Sequence, residues 1–192
     1  MLEILTGVLQ GLTEFLPISS SGHLVIISSL SSELDLNTND IAFLHIGTLF
    51  SIVFFYRKRI FEIFEDLDTF IFYFKIILAG IIPAVLIGLL TPIQNIIDES
   101  PNLILITGAS YLIFSLLLIF SGNINNSEAL SIRDITVSQA FVIGIAQSIA
   151  LLPGVSRSGV TLLTAIYLGV KKADAIYYSL LLGIPTIFGA WS

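Results

Sequence analysis

Long apolar runs constrain this chain more than any other feature of its sequence. Three of them cover residues 41–56, 70–90 and 103–120, and a fourth candidate covers 175–190. A helix needs roughly 20 consecutive apolar residues to cross a bilayer, or somewhat fewer where the bilayer is thin. The pattern therefore predicts an all-α integral membrane protein.

The composition supports this prediction and excludes several other classes. Charged residues make up only 11% of the chain, whereas a soluble domain carries about 25%. The hydrophobic fraction of 55% excludes a disordered chain, and the absence of cysteine excludes disulfide scaffolds, thiolate catalysis and zinc–cysteine sites. A net charge of −6 argues against nucleic acid as a partner.

Two other stretches, 2–30 and 137–170, have a different pattern. Each contains a short apolar piece, an interruption rich in Pro, Ser and Gly, and a second short apolar piece. This pattern is typical of a re-entrant segment, in which two half-helices meet at membrane depth. No Lys or Arg precedes the first stretch, and the stretch contains Glu3. A signal peptide begins with basic residues, so we interpret this stretch as part of the mature protein.

The basic residues predict the orientation of these segments. Residues 1–56 contain no Lys or Arg, whereas positions 57–59 are all basic, which places the end of the first full span in the cytoplasm. Arg133 and the lysines at 171–172 then also lie inside, and the loop 91–102 lies outside. On this assignment the second broken segment begins and ends inside, and the first begins and ends outside.

An internal repeat relates the two broken segments. A shift of 137 positions superimposes these pairs: Gly7 and Gly144, Gln10 and Gln147, Ser19 and Ser156, Ser21 and Ser158, and Gly22 and Gly159. Chance similarity between two Ser/Gly-rich turns is the alternative. Because the charge pattern independently places the two copies on opposite sides, we predict an inverted-topology repeat.

The repeat also predicts the domain organisation. We expect one polytopic membrane domain over residues 1–192, with repeat 1 at about 1–120 and repeat 2 from about 137. The same shift places the counterparts of 70–90 and 103–120 beyond residue 192. We therefore expect the second repeat to be incomplete at the C-terminus.

Four ionisable side chains fall within the predicted membrane segments: Glu14, His23, His45 and Arg157. Each costs about 2.5–3.5 kcal/mol on insertion scales, which makes such residues functional candidates. For His45, inside a predicted span, a core position or interhelical hydrogen bonding is the favoured role. Glu14, His23 and Arg157 are the favoured site residues.

The first broken segment combines a carboxylate with a serine-rich helix start. Gln10 and Glu14 share one helix face, either as a polar pair that bonds a neighbouring helix or as part of a site. Near a phosphate, Glu14 would act as a metal ligand or a proton acceptor. Residues 19–21 are all serine and precede His23 at a predicted helix start, where free N–H groups bind phosphate or a serine simply caps the helix.

The second broken segment supplies a cation in place of the carboxylate. Arg157, flanked by Ser156 and Ser158, aligns with Ser20 of the first copy, and Thr161 lies on the same helix face as Arg157. A guanidinium pairs two phosphate oxygens and stays charged. A salt bridge to Glu14 is the alternative role for Arg157 and does not exclude catalysis. The combination suits an anionic substrate held between the two copies.

Two blocks of the sequence resemble a known family. Residues 11–23, GLTEFLPISSSGH, and residues 152–161, LPGVSRSGVT, are similar to the motifs of the undecaprenyl-diphosphate phosphatase family, also called the bacitracin-resistance family. The resemblance extends over the whole chain, including the region 80–83. It implies a re-entrant, inverted-repeat membrane fold and hydrolysis of undecaprenyl diphosphate to the monophosphate, which recycles the lipid carrier for cell-wall synthesis.

The resemblance also implies residue roles, a cofactor and a location. The family's Glu/Gln-x-x-x-Glu motif maps onto Gln10 and Glu14, and its remaining site positions map onto these residues: Ser20, His23, Ser156, Arg157 and Thr161. Gln10 stands where many members have Glu. The family requires a divalent cation, Mg²⁺ or Ca²⁺, and its site opens to the outer face of the plasma membrane. Family members are longer than this chain at the C-terminus.

Together these observations give a specific expectation of function. We expect Glu14, His23, Ser20 and Arg157 to be catalytic, with Glu14 also a metal ligand. The expected substrate-binding residues are Gln10, Ser19, Ser21, Ser156, Ser158 and Thr161. The nucleophile stays open between His23, Ser20 and an activated water.

The expected partners are a polyprenyl diphosphate lipid, the bilayer and a second copy of the chain in a homodimer. A transporter or flippase of polyprenyl phosphate is the alternative function, because transporters also use inverted repeats with broken helices. A purely structural subunit would leave the charged residues within the membrane unexplained.

Overall fold

The computed structural model describes residues 2–30, 38–121 and 129–189. Within these ranges the chain forms α-helices and two short 3₁₀ helices, with no β-strand. The α-helices are α1 (Leu2–Phe15), α2 (Ser20–Leu30), α3 (Thr38–Phe55), α4 (Arg57–Ile63), α5 (Leu67–Leu90), α6 (Ile93–Asp98), α7 (Leu103–Ser121), α8 (Val137–Gln147), α9 (Arg157–Tyr167) and α10 (Lys172–Gly189). The prediction of an all-α protein is confirmed.

Helices α5 and α7 are long and apolar enough to cross a membrane. Helix α5 contains 24 residues and α7 contains 19. Of the most apolar 18-residue stretch of each helix, only 28% is buried inside the protein in α5 and 17% in α7. A core helix of a soluble protein would be mostly buried, so these two helices present apolar surface outward. They correspond to the predicted spans 70–90 and 103–120, while 41–56 lies largely in α3 and 175–190 largely in α10.

The interior is largely hydrophobic but also buries many polar side chains. Thr6, Gln10, Thr13, Glu14 and Thr48 are all buried, whereas large apolar side chains such as those of α7 are exposed. The many large apolar side chains on the surface distinguish this protein from a soluble one, whose surface carries mostly polar residues. A bilayer is the solvent that suits such a surface.

Both broken segments are interrupted in the predicted places. Helix α1 ends at Phe15 and α2 begins at Ser20, while α8 ends at Gln147, a 3₁₀ helix continues to Leu151, and α9 begins at Arg157. Ser19 Oγ accepts a hydrogen bond from the Gly22 N–H at 3.3 Å, and Ser156 Oγ accepts one from the Gly159 N–H at 3.1 Å. Equivalent serines therefore cap α2 and α9, and N-capping is a role of these two residues.

The segment that contains α8 and α9 starts and finishes at the same place. Leu130 donates its N–H to the Gly169 carbonyl at 2.7 Å and accepts from the Lys171 N–H at 2.9 Å. These bonds form an isolated parallel bridge between Leu130 and Val170. The chain between them therefore folds as a helical hairpin.

The basic residues gather at the end of the molecule where this hairpin begins. Arg59 lies 3.7 Å from Asp174, which also accepts a hydrogen bond from the Ile132 N–H at 3.2 Å. Arg133 donates to Thr69 Oγ1 at 2.8 Å, in the first turn of α5. The residues expected at the inner face thus share one end of the protein.

The break in the second segment lies toward the opposite end. A Cβ atom on Gly88, in the last turn of α5, would lie 3.8 Å from the Leu151 side chain. A Cβ atom on Gly154 would lie 2.5 Å from the carbonyl oxygen of Thr107, near the start of α7. Gly154 also has a φ of +92°, a conformation that glycine adopts without strain. The second break therefore packs close against α7.

Candidate active site

The Glu14 carboxylate lies at the centre of the site, in the last turn of α1. Its side chain is only 7% exposed. Oε1 accepts a hydrogen bond from Arg157 Nη2 at 2.7 Å, and Oε2 accepts from Ser20 Oγ at 2.5 Å and from Gln10 Nε2 at 3.0 Å. Both oxygens are therefore bound, and the two broken segments meet at this carboxylate.

Arg157 reaches Glu14 from the first turn of α9, across 143 positions of sequence. The salt bridge that the sequence offered as an alternative role is present in this structure. Gly183 of α10 makes room for the guanidinium, since a Cβ atom there would overlap Nη1. Nη1 itself is buried and has no hydrogen-bond partner among the described residues. One edge of the guanidinium thus holds Glu14, and the other keeps donors for an anion.

Gln10 contributes a second open group beside Glu14. Its side chain is 1% exposed, and its amide nitrogen donates to Glu14. Its amide oxygen, Oε1, is buried without a hydrogen-bond partner among the described residues. A buried polar atom without a partner is costly. This oxygen is therefore suited to a cation or a donor on a bound ligand.

The serines of the first segment have separate roles. Ser19 caps α2, and its Oγ lies 3.3 Å from Ser21 Oγ. Ser20 donates its hydroxyl proton toward Glu14 Oε2, which is the geometry of an alcohol next to a general base. The structure therefore brings Ser20, and not its two neighbours, into direct contact with the carboxylate.

The second segment contributes fewer groups to the cluster than its sequence suggests. Ser156 caps α9, and its Oγ lies 3.1 Å from Ser158 Oγ. Thr161 is fully buried, and its hydroxyl lies 2.6 Å from Ser179 Oγ of α10. Thr161 thus joins α9 to α10, while Arg157 is the residue of this segment that contacts Glu14.

His23 lies in the first turns of α2 and is held by its Nδ1 atom. This atom is 2.7 Å from the Ser19 carbonyl oxygen and 2.6 Å from the hydroxyl of Tyr111 in α7. No hydrogen bond joins His23 to Glu14 among the described residues. The imidazole and the carboxylate are instead linked through the short segment from Ser19 to Ser20.

Comparison with known proteins assigns the chain to a family. The family model of the bacitracin resistance protein BacA matches residues 3–192. The chain belongs to the BacA family. The resemblance seen in the two motifs is therefore confirmed over nearly the whole sequence.

Several curated proteins that are similar to this chain carry the name undecaprenyl-diphosphatase. The protein of Methanococcus maripaludis strain C5 is 37% identical over 197 residues, which cover 99% of this chain and 76% of the relative. The protein of Thermosipho melanesiensis is 39% identical over 193 residues, which cover 98% of this chain and 75% of the relative. The protein of Christiangramia forsetii is 39% identical over 195 residues, which cover 97% of this chain and 72% of the relative.

The sequence singled out His45 but not its partner, and it did not single out Tyr111 at all. His45 of α3 places Nε2 3.6 Å from Glu14 Oε2 of α1, which is an interhelical contact as expected. Its position in an apolar run marked it as unusual, but only the packing of α3 against α1 shows what it approaches. No sequence pattern pointed to Tyr111, because a single tyrosine in an apolar helix is common.

Proposed function

We propose that this protein is a membrane phosphatase that hydrolyses undecaprenyl, or polyprenyl, diphosphate to the monophosphate and phosphate. This reaction recycles the lipid carrier for cell-wall synthesis. Membership of the BacA family and relatives named undecaprenyl-diphosphatase support the assignment. The structural observation that best supports the assignment is the buried cluster of Ser20, Glu14 and Arg157. This cluster combines an alcohol, a base and an anion-binding group.

In this proposal the diphosphate binds between the starts of α2 and α9. Each helix presents free N–H groups there, and Arg157 presents the unpaired Nη1. These donors stabilise the charge on the transferring phosphoryl group, which is the main requirement of phosphoryl transfer. The prenyl tail lies along the apolar outer faces of the helices, in contact with lipid.

Ser20 is the nucleophile in this proposal. Its proton passes to Glu14 while Oγ attacks the terminal phosphorus and the bond from that phosphorus to the bridging oxygen breaks. The prenyl monophosphate leaves, and a phosphoserine forms. Water then attacks the phosphorus and gives up a proton to His23, while the bond from phosphorus to Ser20 Oγ breaks and Glu14 returns its proton to Oγ. This releases phosphate and restores Ser20, and the proton on His23 passes to the solvent.

A divalent cation, Mg²⁺ or Ca²⁺, is the proposed cofactor, with Glu14 as a ligand. The unpartnered Oε1 of Gln10 beside the carboxylate supports the fit. The described residues contain no group of three or more His, Cys, Asp or Glu that could bind a metal by themselves. This suits a cation held by one or two protein oxygens together with substrate phosphates, where it would neutralise the charge of the diphosphate.

We also propose that both broken segments are re-entrant halves of an inverted repeat in the plasma membrane. The bridge between Leu130 and Val170 supports this for the second segment. The basic residues at one end, and the second break toward the other, support a site that opens to the outer face. A homodimer stays a proposed assembly, and the mass of the protein in detergent tests it.

Phosphate release by the purified chain in detergent tests the proposed activity. We expect release from a short prenyl diphosphate with Mg²⁺ or Ca²⁺ and none with a chelator. Arg157→Ala should lower the rate by about a hundredfold or more, since it removes a contact to the transferring group. The matched control is Arg57→Ala, an exposed arginine whose Nη1 donates to the Phe54 carbonyl, and it should retain the wild-type rate.

Two outcomes would contradict the proposal. One is an Arg157→Ala rate within about threefold of the wild type, because the anion-binding role requires a far larger loss. The other is movement of a polyprenyl phosphate across sealed vesicles without any release of phosphate. That result would establish the flippase alternative.

A further inference from the structure

Tyr111 contacts His23 through a network that centres on one carbonyl oxygen. The Tyr111 hydroxyl donates to the Ser19 carbonyl oxygen at 2.8 Å and lies 2.6 Å from His23 Nδ1. The same carbonyl oxygen is 2.7 Å from His23 Nδ1 and also accepts from the His23 backbone N–H at 3.3 Å. Three groups from two helices thus converge on Ser19.

These contacts decide which nitrogen of His23 carries the proton. A carbonyl oxygen can only accept hydrogen bonds, so the nitrogen 2.7 Å away from it must be a donor. The Tyr111 proton is already directed at the same carbonyl, which leaves the hydroxyl oxygen free to accept from Nδ1. The neutral imidazole therefore carries its proton on Nδ1, and Nε2 keeps the lone pair.

The backbone is shaped to bring Tyr111 this close. Ser19 has a φ of +59°, in the left-handed region that few non-glycine residues occupy. A Cβ atom on Gly22 would lie 2.7 Å from both Cε2 and the hydroxyl oxygen of Tyr111. The ring of Tyr111 packs edge-on against His23, with centroids 5.6 Å apart and an interplanar angle of 88°. Ser19 and Gly22 both belong to the serine-rich motif, so this motif has a structural partner in α7.

We propose that Tyr111 is a positioning residue that, with the Ser19 carbonyl, holds His23 as the Nδ1–H tautomer and keeps Nε2 available as the base. The catalytic part of this inference rests on the proposed phosphatase function, in which Nε2 accepts the proton of the attacking water. The same arrangement of a histidine oriented through Nδ1 operates in hydrolases with a catalytic triad. Here the orienting groups are neutral.

Nitrogen NMR of the substrate-free protein tests the tautomer directly. The chain has two histidines, so His45→Gln leaves a single imidazole to observe in ¹⁵N-histidine-labelled protein. At a pH where the ring is neutral, we expect a protonated Nδ1 and an unprotonated Nε2. A predominant Nε2–H tautomer would overturn the proposal, and no other variant is needed for that conclusion.

Tyr111→Phe tests the contribution of the hydroxyl in the same spectra and in kinetics. The variant keeps the ring but removes the hydrogen bonds, so the tautomer ratio should fall by about fivefold, the effect of one net hydrogen bond. We expect kcat to fall in proportion to the lost fraction of the Nδ1–H tautomer, a smaller factor than the fall in the ratio, while KM stays within about twofold, because the ground-state contacts of the diphosphate are unchanged. The exposed Tyr167 provides the control, and Tyr167→Phe should change neither quantity.

The results separate this inference from the proposed function. Tyr111→Phe could lower the ratio of Nδ1–H to Nε2–H tautomer in a protein that shows no phosphatase activity. That result would support the positioning role and contradict the proposed function. A phosphatase whose tautomer ratio and kcat are unaffected by Tyr111→Phe would support the function and overturn the positioning role. Loss of activity with an unchanged tautomer ratio would also overturn it, because a merely structural effect would explain that pattern.

Discussion

At the scale of the residue, the site is a carboxylate surrounded by donors. Glu14 accepts from Gln10, Ser20 and Arg157 and lies close to His45. Removing one member of a buried ion pair leaves the other charge uncompensated, so these residues support each other's burial. The spacing of Gln10 and Glu14 along α1 was predictable from the sequence, because neighbours at i and i+4 share a helix face.

Gln10 offers a test of the proposed cation site. Gln10→Leu removes the open amide oxygen, so we expect the Mg²⁺ concentration for half-maximal phosphate release to rise by about tenfold, as for other losses around a metal. Gln10→Glu places a second carboxylate beside Glu14 and should lower that concentration. A metal titration of both variants makes the measurement. If neither variant moves the midpoint, Gln10 does not contact the cation.

At the scale of the element, glycines set how closely the helices pack. Helix α8 crosses α5 at Gly144, where a Cβ atom would lie 2.5 Å from the Gly80 carbonyl oxygen and 2.9 Å from Pro83 Cδ. Tyr178 of α10 joins the same region by donating to the Ile76 carbonyl oxygen at 2.7 Å. The broken helices were evident from the sequence, but this crossing was not. Small residues allow close approach without specifying which helix approaches.

Gly144→Ala should destabilise the crossing of α5 and α8. The nearest atom to the added methyl group belongs to the backbone of α5, which cannot move aside as a flexible side chain would. We expect a loss of about 1–3 kcal/mol, typical of overpacking a buried contact. The comparison is with Gly108→Ala in α7, where no heavy atom lies within 4 Å. Thermal unfolding in detergent should show a lower Tm for Gly144→Ala alone, and equal Tm values for both variants would contradict the packing argument.

At the scale of the whole molecule, an apolar exterior encloses a polar site. The basic cluster and the break before Arg157 lie toward opposite ends of the helices, as expected for a protein with an inner and an outer face. The two helices α5 and α7, long and apolar enough to cross a membrane, were predicted from hydropathy alone, and the orientation was predicted from charge. The convergence of α1, α2, α3 and α9 on one carboxylate required the folded chain.

Labelling of single cysteines tests the orientation and the re-entrant fold together. The chain has no cysteine, so each variant carries one reactive site. A membrane-impermeant maleimide should label Gln94→Cys in intact cells, and Lys58→Cys only after permeabilisation. Ser138→Cys and Lys171→Cys, at the two ends of the second broken segment, should both behave like Lys58→Cys. Labelling of these last two from opposite sides would show that the segment crosses the membrane.

The local features of this protein follow from its sequence alone. Apolar runs, helix interruptions and capping serines depend on residues a few positions apart, so their pattern can be interpreted without the fold. The contacts of the site depend on the folded chain: Arg157 binds Glu14, His45 approaches the same carboxylate, and Tyr111 holds His23. These contacts join residues up to 143 positions apart. They arise from the packing of whole helices, and no local pattern encodes the distance between two helix faces.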